Sequence, residues 1–368
     1  MIPDESKSAR LSAGFLLKMI SKNESDSSDE ESEETEVYFG ETGLFGFVSA
    51  YILPIIILNN VLTNLLILAL RKDLSSSRRA LVFYITIALS DLAPTLEHYL
   101  LDVFLSEGLN YLSNGMVKFG INEISDLVCR AQWLLFGMTL QFSNWILAIF
   151  SIERLILVYY PLKFRNFTTR KAILLVLGVL FGSILYHMIF ITRHNSIPEP
   201  EHEGEIECFD TDDDGLALMI FSLNFTLIYF LMPGLLNACL NVQILFKLRQ
   251  ISKTRGKMMA AAVGTGAQLE GEHGKLDLAT TSTLVTLSFL HFLLVIPVVI
   301  SGIFTRILFA DKAAHEETRL EEVANLFASL LNLSALANGT SFYVYLARIP
   351  SFRNHFCRLL LCGCSGHI

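Results

Sequence analysis

Seven stretches of the chain are almost uninterruptedly apolar: 44–70, 80–105, 131–158, 172–191, 215–246, 278–308 and 323–346. Each reaches the ~20 residues that an α-helix needs to cross a hydrocarbon core of ~30 Å. None shows the period-two alternation of barrel strands, and in lipid only helices or closed barrels pair all their backbone groups. The pattern predicts an all-α membrane protein built as a seven-transmembrane helix bundle over 44–348. An acidic tail, 1–43, precedes it. After the seventh run, residues 352–361 read as a short amphipathic eighth helix, which with the Cys-containing tail makes a cytoplasmic segment, 349–368.

Charge sets the direction of threading. Lys and Arg gather at Arg71 to Arg79, Arg154 to Lys171, Lys247 to Lys275 and Arg348 to Arg358, which are the odd-numbered connections and the C-terminal tail. By the positive-inside rule those segments are cytoplasmic and the N-terminus is extracellular. The outer side then carries 10 cations against 30 carboxylates and the inner side 18 against 5. The modest net charge of −8 conceals that polarity.

The same topology sorts the smaller signals. The first forty residues hold only one short apolar stretch, so they read as a disordered tail without a cleaved signal peptide. Five Asn-x-Ser/Thr patterns occur, at Asn23, Asn166, Asn224, Asn332 and Asn338, and only Asn23 lies outside and clear of the bilayer. Asn23 is therefore the expected glycosylation site and the other four are chance matches. Cys129 and Cys208 both face the oxidising side, so a bridge between them is expected. Cys357, Cys362 and Cys364 follow the seventh helix on the inner side and are palmitoylation candidates or plain reduced thiols. Cys239, inside the fifth run, reads as a packed thiol.

The motifs resemble, in order and spacing, those of the rhodopsin-like G-protein-coupled receptors across essentially 44–364. Asn64 stands at the polar position of the first helix and Leu89-Ser90-Asp91-Leu92 matches the aspartate motif of the second. Glu153-Arg154-Leu155 stands at the acid-Arg-aromatic triplet with Leu155 in place of the aromatic residue, Pro161 follows at the family's spacing, and Pro233 and Pro297 match the fifth- and sixth-helix prolines. The seventh helix departs from Asn-Pro-x-x-Tyr. It reads Asn338-Gly-Thr-Ser341-Phe342-Tyr-Val-Tyr345, which puts Tyr345 at the tyrosine, Ser341 at the asparagine and Phe342 at the proline. This variant resembles invertebrate FMRFamide-type and nematode chemoreceptor-like receptors. Leu294-Val295-Ile296-Pro297 replaces the Cys-Trp-x-Pro of relatives and His291 stands where phenylalanine is usual.

The resemblance implies roles for these residues. An ionisable group inside a spanning helix is a functional candidate by default. Asp91 is one, and the resemblance sets Asn64, Ser143, Asn338 and Ser341 around it as the polar cluster that in relatives holds a sodium ion. No other cofactor is implied. Arg154 carries a fixed planar charge, and Asp277, twenty residues before Pro297, stands where the family places its sixth-helix partner. Glu153, Arg154, Asp277, Pro161 and Tyr345 thus form the expected activation and coupling set. Pro233 and Pro297, with Pro54, are expected hinges. The third inner loop, basic and Gly-rich, suits a heterotrimeric G protein and equally suits anionic lipid.

The ligand is read from charge. Phe136 stands where aminergic receptors carry aspartate, and no Lys lies between Arg319 and Arg348, which argues against an amine and against a retinal Schiff base. The outer loop 199–214 is intensely acidic, and Glu97 and Asp102 add carboxylates near the mouth. A cationic ligand is the electrostatic expectation, and an amidated peptide ending in Arg-Phe-amide fits it. The candidate ligand residues are Glu97, Asp102, Gln132, Phe136, Glu207 and Asp210. A transporter or channel is the alternative, but no inverted repeat or paired half-helices are visible. The scattered histidines have no metal-ligand spacing and no hydrolase motif occurs, so neither an enzyme nor a nucleic-acid partner is indicated.

Overall fold

The structure is a computed structural model that describes residues 43–362 apart from 75–76, 118, 122–123, 161–166, 189–193, 199–205, 211–224, 263–271 and 311–316. Six helices are each long and apolar enough to cross a membrane. They are α1 (Leu44–Ala69), α2 (Arg78–Leu112), α3 (Asp126–Tyr159), α4 (Thr169–Met188), α5 (225–262) and α6 (Glu272–Ala310). The seventh crossing, α7, is shared by two helices, Glu317–Ser334 and Ala337–Arg348, that meet at Ala335-Leu336. The short α8, Pro350–Cys362, follows. A hairpin of β1 (His194–Pro198) and β2 (Ile206–Asp210) in the second outer loop, with Ser196 opposite Cys208, adds two strands to an otherwise helical fold.

Several boundaries differ from the hydropathy reading for identifiable reasons. α3 starts at Asp126 rather than 131 because Ser125 caps it, its hydroxyl accepting from the Val128 N–H, and Asp126 pairs with Arg130 at 2.9 Å. α2 runs seven residues beyond its predicted end at 105 and stops where Asn114 and Gly115 adopt positive φ, 53° and 83°. α5 continues to Ala262, well past 246, because its polar inner end needs no lipid to remain helical.

Among the described residues three wide-turn π segments occur, Val48–Ile52, Thr95–Gly108 and Phe225–Leu231, and each lies close to a proline: Pro54, Pro94 and Pro233. Proline cannot donate to the carbonyl four residues back and its ring crowds that carbonyl, so the wide turns around Ala50 and Tyr229, four residues before Pro54 and Pro233, relieve the mismatch. Two of the expected hinges, Pro54 and Pro233, are of this kind. Pro297 lies inside a continuous α6 on an exposed face. Pro94, which hydropathy alone did not single out, has the longest wide segment beside it.

Packing holds the bundle at three levels. Toward the cytoplasm Phe83 stacks on Phe150 at 4.7 Å, and Tyr84, Tyr345 and Phe352 close the cluster. Phe45, Leu53, Tyr99 and Ala328 bind the outer ends of α1, α2 and α7, while Leu140, Tyr229, Val295 and Leu331 join α3, α5, α6 and α7. Large side chains such as Ile55, Phe181 and Ile300 are exposed, as a lipid-facing belt requires. Since lipid is as apolar as leucine, close packing and interhelical hydrogen bonds rather than hydrophobic burial hold such helices together.

Candidate functional site

At the outer end, α3 offers one face to α2. Gln132, Phe136 and Thr139 follow helical i, i+4, i+7 spacing. Gln132 Nε2 donates to Glu97 Oε1 at 3.0 Å, and the Thr139 hydroxyl donates to Glu97 Oε2 at 3.3 Å. Phe136 lies between them against the His98 ring, centroids 4.1 Å apart, with Trp133 edge-on at 6.0 Å. His98 Nδ1 meets Asp102 Oδ2 at 3.0 Å, and its buried Nε2 has no partner among the described residues. Four of the sequence-derived ligand residues, Glu97, Asp102, Gln132 and Phe136, are therefore neighbours. Thr139 and His98 complete the group; the i+7 spacing of Thr139 from Gln132 was the available signal. The backbone of Glu207 and Asp210 is on β2, and their side chains lie outside the described residues.

The acidic centre of this group has no cation beside it among the described residues. Glu97 accepts only neutral donors, and Asp102 adds a second acid one turn further along α2. A carboxyl buried this way in a helix bundle is relieved either by a proton or by a cation brought beside it.

Cys129, fully buried at the top of α3, is disulfide-bonded. The side chain of Cys208 lies outside the described residues.

Midway down, Asp91 is buried and accepts from the hydroxyls of Ser143 at 2.8 Å and Ser341 at 3.4 Å, joining α2, α3 and α7. Asn64 and Asn338 do not touch the carboxylate directly. Asn64 Nδ2 donates to the backbone carbonyls of Asn60 and Asn338, each at 2.9 Å, and Asn338 reaches Thr95, whose hydroxyl donates to the Asp91 carbonyl. The expected cluster is thus two linked sets, and the buried Oδ1 of Asn64 has no partner among the described residues.

The break in α7 explains this arrangement. Ala335, Leu336, Asn338 and Gly339 each donate to the carbonyl three residues back, so the helix tightens through this turn. The tightened turn presents the Ala335 carbonyl to Asn60 Nδ2 at 2.8 Å, and Asn332 reaches the Ser49 hydroxyl at 3.1 Å. Gly339 permits the approach, since a Cβ there would strike Asn60 and come within 2.6 Å of Asn59. Ser49, Asn60, Thr95 and Asn332 carry no motif that marks them in the sequence, apart from the glycosylation-like pattern at Asn332.

At the inner end Glu153 and Arg154 are fully buried and paired, Arg154 Nε to Glu153 Oε2 at 3.0 Å, with the guanidinium 5.0 Å from the Phe150 ring. Tyr345 is buried against Tyr84 and Phe352. Asp277 lies in α6 four residues before the buried Thr281, but its side chain is outside the described residues, as is all of Pro161. Asn23 and Cys364 fall outside them too, and Cys362 is described by backbone alone. Cys357 is a free thiol on an exposed face of α8. α8 itself is fastened to the first inner loop, where Ser351 donates to the Asp73 carbonyl and His355 meets the Asp73 carboxylate, both at 2.7 Å.

Further side-chain bonds tie α3 to α5 and α6. Ser151 donates to Asn237 of α5 at 2.6 Å, Trp145 Nε1 donates to the Ile228 carbonyl in the wide segment of α5 at 3.1 Å, and Asn144 meets His291 of α6 at 2.7 Å. Tyr229 of α5 donates to His187 of α4, whose Nδ1 faces the Ser183 carbonyl, so the imidazole tautomer is set. No group of metal-ligating side chains occurs among the described residues.

An acidic outer group, a polar midplane cluster and a buried inner arginine thus lie along one seven-helix frame. The family described as 7 transmembrane receptor (rhodopsin family) matches residues 59–339, more than half of the chain. Among curated proteins none matches. That family consists of receptors rather than enzymes, and its members are multi-pass proteins of the plasma membrane. The chain belongs to the rhodopsin family of seven-transmembrane receptors.

Proposed function

We propose that the protein senses a cationic extracellular peptide, amidated at its C-terminus, and passes the signal to a heterotrimeric G protein. The observation that carries this reading is Glu97, held by Gln132 and Thr139 with no cation beside it among the described residues. A guanidinium fits such a carboxylate in bidentate fashion, and an amidated terminus avoids the repulsion that a free carboxylate would meet from Asp102 and from the acidic loop. Phe136, Trp133 and His98 offer an aromatic wall for an adjacent ring. A bridge from Cys129 to Cys208 would tie the acidic loop over this cleft. Its support is that Cys129 is bonded, that Cys239 and Cys357 are free, and that Cys362 and Cys364 lie on the opposite side of the membrane in the topology above.

Inside, the reading assigns Asp91, Ser143, Ser341 and the unpartnered amide oxygen of Asn64 to a small hard cation such as sodium, for which an all-oxygen set is suited. Arg154 and Asp277 would latch α3 to α6 at rest. Pro161 and Tyr345 would contribute to the coupling surface, Asn23 would carry a glycan, and Cys357, Cys362 and Cys364 would anchor α8 by acylation.

Binding of labelled amidated peptides to membranes holding the full chain tests the reading. Saturable binding of Arg-Phe-amide peptides that falls about tenfold or more in Glu97→Gln is the expected result, the size of a charge-assisted pair. Binding equal for amidated and free-acid peptides, and unchanged in that variant, would contradict it.

A further inference from the structure

The loop that joins α2 to α3, with the first turn of α3, turns apolar side chains outward. Met116 is 83 % exposed and Leu127 77 %, and Val117, Phe119 and Ile124 are exposed between them. The turn that presents Met116 and Val117 is held by hydrogen bonds: the Gly115 N–H donates to the carbonyl of the buried Asn110 at 2.9 Å, and the Val117 N–H donates to the Ser113 hydroxyl at 2.8 Å. Large apolar side chains gathered on one outer loop mark a surface that something covers.

The bilayer lies too low to be that cover. α2 has 35 residues and α3 has 34, so each is roughly 50 Å long, against ~40–45 Å for a bilayer with its headgroups. Arg78 and Arg79 hold the inner end of α2 at the cytoplasmic surface, so the surplus length stands outside and lifts the loop clear of the hydrocarbon.

The root of the N-terminal tail lies beside this loop. Ring contacts run from the first turns of α1 to the outer end of α2, Phe47 with Tyr51 at 5.3 Å and Tyr51 edge-on to Tyr111 at 6.2 Å. Gly108 permits that approach, since a Cβ there would come within 2.8 Å of the Ser49 carbonyl oxygen. The tail carries the matching chemistry. Residues 11–20 include Leu11, Phe15, Leu16, Leu17, Met19 and Ile20, and the four cations of the tail, Lys7, Arg10, Lys18 and Lys22, lie in this stretch or within four residues of it. Residues 23–43 hold nine carboxylates and no cation. The outer loops are acidic too, so they draw the cationic stretch and repel the linker behind it. As a coil, the linker from 21 to 43 reaches about 25 Å, and a segment tethered at roughly millimolar effective concentration needs only a weak contact to stay bound.

We propose that residues 11–20 fold back onto the first outer loop of the same chain, with Phe15 and Leu16 against Met116, Val117 and Phe119. The contact forms within one molecule and needs no ligand, so it stands or falls apart from the peptide reading.

The test uses the full chain in phosphatidylcholine nanodiscs, with Met116 replaced by the photoreactive benzoylphenylalanine and the crosslinks mapped by mass spectrometry. Crosslinks to residues 11–20 in a product that runs as a monomer are expected. Phe15→Asp combined with Leu16→Asp should cut their yield about fivefold or more, since burial of two large apolar side chains is lost. Both changes lie in the tail, so the helix bundle folds as before. The same photoreactive residue placed at Phe181, on the lipid belt, should give no crosslink to the tail. Crosslinks to phosphatidylcholine alone, crosslinks that join two copies of the chain, absence of any product with residues 11–20, or a yield unchanged in the double variant would each overturn the proposal.

Discussion

Asn64 of α1 donates to the backbone carbonyl of Asn338 in α7 at 2.9 Å, across 274 residues of chain. With Asn60 on the Ala335 carbonyl and Asn332 on the Ser49 hydroxyl, it forms a ladder that pins the tightened turn of α7 to α1. No proline stands between Leu331 and Leu346; a run of short-range hydrogen bonds tightens the helix instead, and the side chains of α1 collect the carbonyls that this turn presents.

Gly339 is the steric condition for that ladder. Gly339→Val should separate α1 from α7 and destabilise the protein by about 1–3 kcal/mol, the usual cost of overpacking. Thermal unfolding of detergent-purified protein, following a reporter of folded receptor, should show a clear fall in Tm. An unchanged Tm would show that the two helices are not in close contact there.

Asn332 separates structure from sequence pattern. Asn332→Ala should lower stability by about 0.6 kcal/mol, the average for an interhelical bond in a membrane, and leave gel mobility after deglycosylation unchanged. The mobility shift on deglycosylation should disappear only in Asn23→Gln.

At the midplane, Ser143→Ala removes the 2.8 Å donor to Asp91 and leaves a buried carboxylate oxygen short of a partner. The expected loss is about 1–3 kcal/mol. Asp91→Asn keeps the shape and tolerates the same neighbours, so it should fold while altering ligand-stimulated signalling. A Ser143→Ala variant as stable as wild type would argue against the bond.

The inner latch makes the opposite kind of prediction. If Asp277 latches α6 to Arg154 as proposed, Asp277→Asn should raise basal signalling at equal surface expression. Basal activity that stays flat would leave Arg154 paired only with Glu153, the contact seen at 3.0 Å.

Much of this was legible in the chain. Seven apolar runs, the cation asymmetry and the order of Asn64, Asp91, Arg154, Pro233 and Pro297 were enough to expect the bundle and its polar axis. The wide π segments beside Pro54, Pro94 and Pro233 were not, because hydropathy measures length and apolarity but not the pitch of a helix. That pitch matters at Glu97, whose direction depends on the wide turns that follow Pro94. The split of α7 escaped for a similar reason: Ala335 and Leu336 are ordinary helix formers, and only the carbonyl demands of Asn60 and Asn64 reveal the turn.

The most direct measurement is G-protein dissociation in cells that display the protein, challenged with a library of amidated peptides alongside Arg154→Ala and Glu97→Gln. A saturable response to cationic amidated peptides is expected, abolished by Arg154→Ala at retained surface expression and shifted about tenfold or more to higher concentration by Glu97→Gln. A response to uncharged ligands that Glu97→Gln leaves intact, or silence with no basal activity sensitive to Arg154→Ala, would contradict it.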